Sequence, residues 1–85
     1  MEISYTSHFE REAKKLLPTL RPAVKERIGR FLFNPFDPVL KTHKLSGRLE
    51  EYWSFSVNFR VRIIFRFIDQ GHALFHSIGD HSIYD

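Results

Sequence analysis

Five histidines and a block of basic side chains are the groups in this 85-residue chain able to move protons and hold anions. Between residues 41 and 66, Lys41, Lys44, Arg48, Arg60, Arg62 and Arg66 stand against only Glu50 and Glu51, a local charge of +4. Residues 1–20 balance at zero, residues 21–40 carry +2, and residues 67–85 return −3 through Asp69, Asp80 and Asp85, so the whole chain carries +3. A central basic block is what a phosphate-binding surface presents, and equally what a solvated strand face presents. Joined to histidine and tyrosine, it suits cleavage of RNA through its own 2′-hydroxyl. That reaction needs a base for the hydroxyl, cations for the charge on the phosphorane, and an acid for the departing 5′-oxygen. An aromatic surface to stack splayed bases assists it. His, Arg, Lys and Tyr fill these roles without metal or cofactor. The requirement is permissive, and many small basic domains meet it.

Other chemistries are poorly served. The chain has no cysteine, which removes disulfide frameworks, thiol catalysis and thiolate zinc sites together. Gly29, Gly47, Gly71 and Gly79 are scattered, so no glycine-rich loop cradles a phosphate, and no Gly-x-Ser-x-Gly elbow presents a nucleophile. His72 and His76 are four apart in a strand-like stretch, which separates them by about 13 Å, too far to share one ion. No apolar run approaches the roughly 18–20 residues of a membrane span. The N-terminal stretch MEISYTSHFEREAKK lacks the apolar region of a secretory signal, so a cytoplasmic protein is expected. A hydrophobic fraction of 42% with 27% charged residues belongs to a folded domain, and the length allows one, spanning residues 1–85.

The elements that must position these groups follow from periodicity. Glu2 to Tyr5 reads as a short strand that joins the main sheet. Ser7-His8-Phe9-Glu10 fits a capping box opening a helix, whose stripe Phe9, Ala13, Leu16 and Leu17 ends before Pro18. A second helix is expected to start between Thr19 and Pro22, with Val24, Ile28, Phe31 and Leu32 as its apolar stripe and Lys25, Glu26, Arg27 and Arg30 mostly on other faces. Asn34-Pro35 and Asp37-Pro38 stop it. From Glu51 the period becomes two. Tyr52 to Val57 forms a strand, Asn58-Phe59 a turn, and Arg60 to Ile68 a strand with Val61, Ile63, Phe65 and Phe67 on its core face and Arg62, Ile64, Arg66 and Ile68 on the other. A turn containing Gly71 leads to a last strand over Ala73 to Ile78. The order β-α-α-β-β-β predicts an α+β domain, an antiparallel sheet packed against a helical hairpin. Trp53 and the phenylalanines belong to its core, with Trp53 the first candidate for an exception, and His8, His72 and His76 are structural or incidental.

Three pieces of sequence carry a resemblance: DPVLKTHKLSGRLEEYWSF from Asp37, FRVRIIFRF from Phe59 and SIGDHSIYD from Ser77. Within them lie Leu45-Ser46-Gly47 before a strand, Arg62-Ile63-Ile64-Phe65 inside one, and the closing Gly79-Asp80-His81. In this order and at this length, the chain resembles the RelE/ParE superfamily of toxins from type II toxin–antitoxin systems, nearest the RelE- and YafQ-like ribosome-dependent mRNA interferases. The resemblance implies a metal-independent endoribonuclease that cuts mRNA in the ribosomal A site and is held inactive by an antitoxin. It implies His81 and His43 as the proton-transfer pair and Arg62 as the group on the scissile phosphate, with Tyr84 stacking a base. Lys41, Lys44, Arg48 and Arg60 are then contacts to RNA or ribosome. Where some YafQ-like members carry an aspartate in the second hairpin, this chain has Asn58, Phe59 and Arg60, which argues against a carboxylate-assisted mechanism. Two other functions share this fold: a ParE-like inhibitor of DNA gyrase that cleaves no RNA, and an inactive relative that only binds an antitoxin or nucleic acid. The pair His43 and His81 discriminates, because ParE-type toxins generally lack it.

Overall fold

The computed structural model describes residues 1–80. Strand β1 (Glu2–Tyr5) leads into helix α1 (Ser7–Lys14), a one-turn 3-10 helix (Pro18–Leu20) and helix α2 (Arg21–Phe33). A second 3-10 turn (Pro38–Leu40), the two-residue strand β2 (His43–Lys44) and a third 3-10 turn (Gly47–Leu49) follow. The chain then runs through β3 (Trp53–Ser56), β4 (Arg62–Asp69) and β5 (His72–Gly79). The strands form one sheet in the order β1-β5-β4-β3-β2. The α+β architecture is the expected one. The sheet is mixed, however: β2 to β5 pair antiparallel, while β1 lies parallel to β5 at the edge, Ile3 beside Ala73 and Tyr5 beside Phe75. Helices α1 and α2 carry the chain from β1 at one edge of the sheet to β2 at the other, and the meander β2 to β5 returns it to lie beside β1.

One face of the sheet is filled by rings. Phe31 of α2 is fully buried and meets Phe55 at 5.0 Å, Phe65 at 4.9 Å and Phe75 at 5.2 Å between ring centroids. Phe9 of α1 reaches Phe75 at 5.6 Å. Val61, Ile63, Phe65 and Phe67 all join this cluster, as alternation along the strand requires. Trp53 lies at its margin, only partly buried, edge-on to Phe36 and Phe67. Burying each large apolar side chain is worth about 1.5–3 kcal/mol, so this face holds most of the domain's stability.

The helix ends differ from expectation in two places. Thr6, not Ser7, is the N-cap of α1: its Oγ1 accepts from the Phe9 N–H at 2.9 Å and donates to the His76 carbonyl at 2.9 Å. Thr6 wins because the second bond ties the cap to β5, which Ser7, facing solvent, does not do. The capping box with Glu10 therefore does not form. Helix α1 also stops at Lys14, with i+3 bonds tightening the chain at Lys15 and Leu16, and leaves Leu17 exposed outside the apolar stripe. In α2, Val24 and Ile28 pack on the core and Phe31 fills it, while Leu32 is partly exposed.

Candidate functional site

The face of the sheet opposite the rings is built from short side chains and a few polar ones. Cross-strand partners point the same way, so one row runs from His43 through Ser54 and Ile64 to Ser77. The next row runs from Ser56 through Arg62 to Gly79. Ser54, Ile64 and Ser77 are buried, so Ile64 is covered on this face as fully as its neighbour Ile63 is on the other. His43 is exposed and Arg62 half-buried. Two strand steps and two residues separate them, roughly 12 Å between backbones.

Arg62 stands here because Val61 and Ile63, its neighbours in the chain, are drawn into the core. Its Nη1 donates to the Asn58 carbonyl and, at 3.4 Å, to that of Val61. Asn58 in turn closes the β3–β4 hairpin: its Oδ1 accepts from the N–H groups of Arg60 at 2.8 Å and Val61 at 2.7 Å. The side chain at this position thus forms the turn that aims Arg62.

His43 is oriented by the chain before it. Its Nδ1 lies 3.0 Å from the Lys41 carbonyl. A carbonyl only accepts, so this bond places the proton on Nδ1 and leaves the Nε2 lone pair directed away, the arrangement of a general base. Lys41 itself is left-handed at φ 52°, ψ 40°, the single non-glycine residue with positive φ among those described.

The other basic residues divide. Lys41 and Arg62 line one recess at the hairpin end of the sheet. Lys44 pairs with Trp53 and so alternates away from His43, toward the helix side. Arg48 lies exposed in the third 3-10 turn, and Arg60 in the β3–β4 turn. His81 and Tyr84 lie outside the described residues. Arg27 was not among the expected site residues, yet it lines the same recess as Lys41 and Arg62. The signal was present: Arg27 precedes the buried Phe31 by four residues, so it stands on the inner side of α2 rather than with Lys25 and Arg30.

The remaining histidines have other surroundings. His72 Nε2 is 2.6 Å from Ser4 Oγ, a bond between β5 and β1, with the Glu2 carboxylate 4.0 Å from Nδ1. His76 stacks near His8 at 5.8 Å and Tyr52 at 5.2 Å between centroids. Burial, then the charges of His8 and Arg66, push the His76 imidazole below the usual histidine range. Among the described residues, no three His, Asp or Glu side chains gather closely enough to hold a metal ion. None of the described helices is long and apolar enough to cross a membrane.

No family model and no curated protein matches this sequence. Solved structures do match its shape. YafQ from Escherichia coli strain BL21(DE3) superposes with a TM-score of 0.77 over 98% of this chain and 96% of its own, at 20% identity. A YoeB/ParE toxin from Agrobacterium tumefaciens gives 0.78 over 95% and 99%, at 18% identity. A chain of the heterotetrameric YoeB–YefM toxin–antitoxin complex from Staphylococcus aureus gives 0.75 over 95% and 97%, at 19% identity. The chain has the fold of the YafQ- and YoeB-type toxins. The agreement runs the length of both partners, so the sheet, its helix-covered face and its second face are all common to the fold.

Proposed function

We propose that this protein is the toxin of a toxin–antitoxin pair and a member of the RelE/YafQ-like superfamily, acting in the cytoplasm as a ribosome-dependent mRNA endoribonuclease. The observation that carries the reading is the placement of His43 and Arg62 on the face of the sheet opposite the Phe31 ring cluster. The full-length likeness to YafQ and to the YoeB–YefM assembly supports both the toxin and an antitoxin partner.

In this reading His43 Nε2 removes the proton from the 2′-hydroxyl, whose oxygen attacks the adjacent phosphorus. The guanidinium of Arg62 stabilises the charge that develops on the phosphoryl oxygens. The P–O5′ bond breaks, leaving a 2′,3′-cyclic phosphate, and His81 returns a proton to the 5′-oxygen. His81 follows Gly79, the cross-strand partner of Arg62, by two residues. Assigning the base to His43 rests on the Nδ1 bond to Lys41, which leaves Nε2 unprotonated in the neutral ring. Lys44, Arg48 and Arg60 contact RNA or ribosome outside this centre, and Tyr84 stacks a base.

The test is primer extension on translated mRNA with wild type and with His81→Ala. Cuts that depend on the ribosome and vanish in the variant are expected. Growth arrest with intact mRNA and accumulating DNA breaks would replace this reading with a gyrase inhibitor of the ParE kind.

A further inference from the structure

The β3–β4 end of the sheet carries a recess of about 260 Å³ whose walls come from three separate parts of the chain. Arg27 enters from α2, Lys41 from the loop after the second 3-10 turn, and Arg62 from β4, while no acidic side chain lines it. Three basic side chains meet at this cavity; Glu26 already neutralises Arg27, and an anion in the cavity would offset the repulsion between the others. Each of the three has donor capacity left. The Arg27 side chain is only 27% exposed, and its Nε is buried without a hydrogen-bond partner while Nη1 is held by Glu26. Such an unmatched donor is costly, and a turn of the guanidinium toward an anionic oxygen in the recess would relieve the cost. Arg62 spends Nη1 on backbone carbonyls, which leaves its Nε and Nη2 edge.

Lys41 adds an independent sign. Its left-handed backbone costs a non-glycine residue about 1–2 kcal/mol, and a glycine would adopt it freely. The conformation is held by the Lys41 N–H to the Pro38 carbonyl at 3.2 Å and by the His43 bond to the Lys41 carbonyl. One strained residue therefore both lines the recess and orients the candidate base. On the rim, Phe59 is 83% exposed at the hairpin tip. A lone ring beside a cationic pocket has the form of a base-stacking platform next to a phosphate seat.

We infer that the Arg27–Lys41–Arg62 recess seats a backbone phosphate of single-stranded RNA, with the base of that nucleotide stacked on Phe59. The anion site stands on its own geometry; its assignment to RNA rests on the function proposed above. The test is an NMR titration of the ¹⁵N-labelled protein, observing backbone amides and arginine Nε, first with inorganic phosphate and then with a short single-stranded oligoribonucleotide. Phosphate is expected to shift Arg27 Nε and the Lys41 amide, and the oligonucleotide to shift these and Phe59 together. Arg27→Gln, Lys41→Gly and Phe59→Ser are each expected to weaken oligonucleotide binding by about tenfold. Lys41→Gly relieves the backbone, so its loss of binding would not reflect a damaged fold.

Unchanged affinity in Arg27→Gln and Lys41→Gly, or shifts confined to Lys44 and Arg48, overturns the site. Response to free phosphate with none to the oligonucleotide overturns the RNA assignment. An oligonucleotide that binds here although translated mRNA stays intact supports the recess and refutes the nuclease reading, so the two fail separately.

Discussion

The two faces of this sheet are made by the same strands and have opposite compositions. On the helix side, Phe31, Phe55, Phe65 and Phe75 are fully buried and touch one another. On the other side the corresponding positions are Ser54, Ser56, Arg62, Ile64 and Ser77, with His43 at the edge. A ring removed from the first face leaves a cavity that rigid neighbours cannot fill. Truncating Arg62 or His43 on the second face leaves the ring cluster untouched. The contrast separates the face that holds the fold together from the face to which the proposed chemistry is assigned, and substitutions test that division.

The largest effect is expected at Phe31. Phe31→Ala should cost about 3–5 kcal/mol, a large share of what a domain this small possesses. Urea unfolding followed by fluorescence or circular dichroism measures it, and a cost below about 1 kcal/mol would mean that the ring cluster is not the core.

Arg62→Ala comes next and should behave in the opposite way. If Arg62 stabilises the phosphorane, its loss lowers the rate of mRNA cleavage by about 10²–10³-fold, about 2.7–4 kcal/mol on the barrier, with the unfolding midpoint nearly unchanged. Equal losses of stability and of activity would erase the distinction between the faces.

Thr6 joins the helix side to β5, and Thr6→Ala should destabilise by about 1 kcal/mol, whereas Ser7→Ala, at a position outside the cap, should leave stability within about 0.5 kcal/mol. The pair of unfolding curves decides between the two caps.

The smallest effect concerns pH. The folded protein holds His76 below its unfolded value, so the unfolded chain binds more protons as the solution is acidified. The His76 contribution is therefore complete above the ordinary histidine pKa of about 6.5 and is lost as pH falls through the lower folded value. In His76→Gln the acid limb of stability against pH should flatten, with little change above neutrality.

Much of the core is legible in the sequence, although Phe33 and Phe59, expected inside with the other phenylalanines, stand exposed. Period-two alternation in VRIIFRF named the residues of β4 that face the helices, and the i, i+4, i+7 stripe named Phe31. What misled was local. Thr6 and Ser7 are both good caps, and the choice was made by the His76 carbonyl, seventy residues away. Alternation puts Ile64 on the second face, where it lies, but not its burial there, because alternation reveals direction and not cover.

The candidate site was legible by type more than by arrangement. His43 and Arg62 were named from the resemblance, but only the register puts them on one face, and only the Lys41 carbonyl fixes which nitrogen of His43 is free. Reading Arg27 with Lys25, Glu26 and Arg30 as mostly off the apolar stripe of α2 misses that its spacing from Phe31 points inward.

The sequence by itself determined the two helices, four of the five strands, their apolar sides and the central excess of positive charge, because each is a property of neighbouring residues and of the chain's period; the two-residue strand β2 is too short to show a period. Tertiary structure alone decided that β1 lies parallel to β5 and that Thr6 caps α1. It also decided that Arg27, Lys41 and Arg62 converge on one recess. These are meetings of segments far apart in the chain, and they depend on how whole faces pack, which no local spacing records.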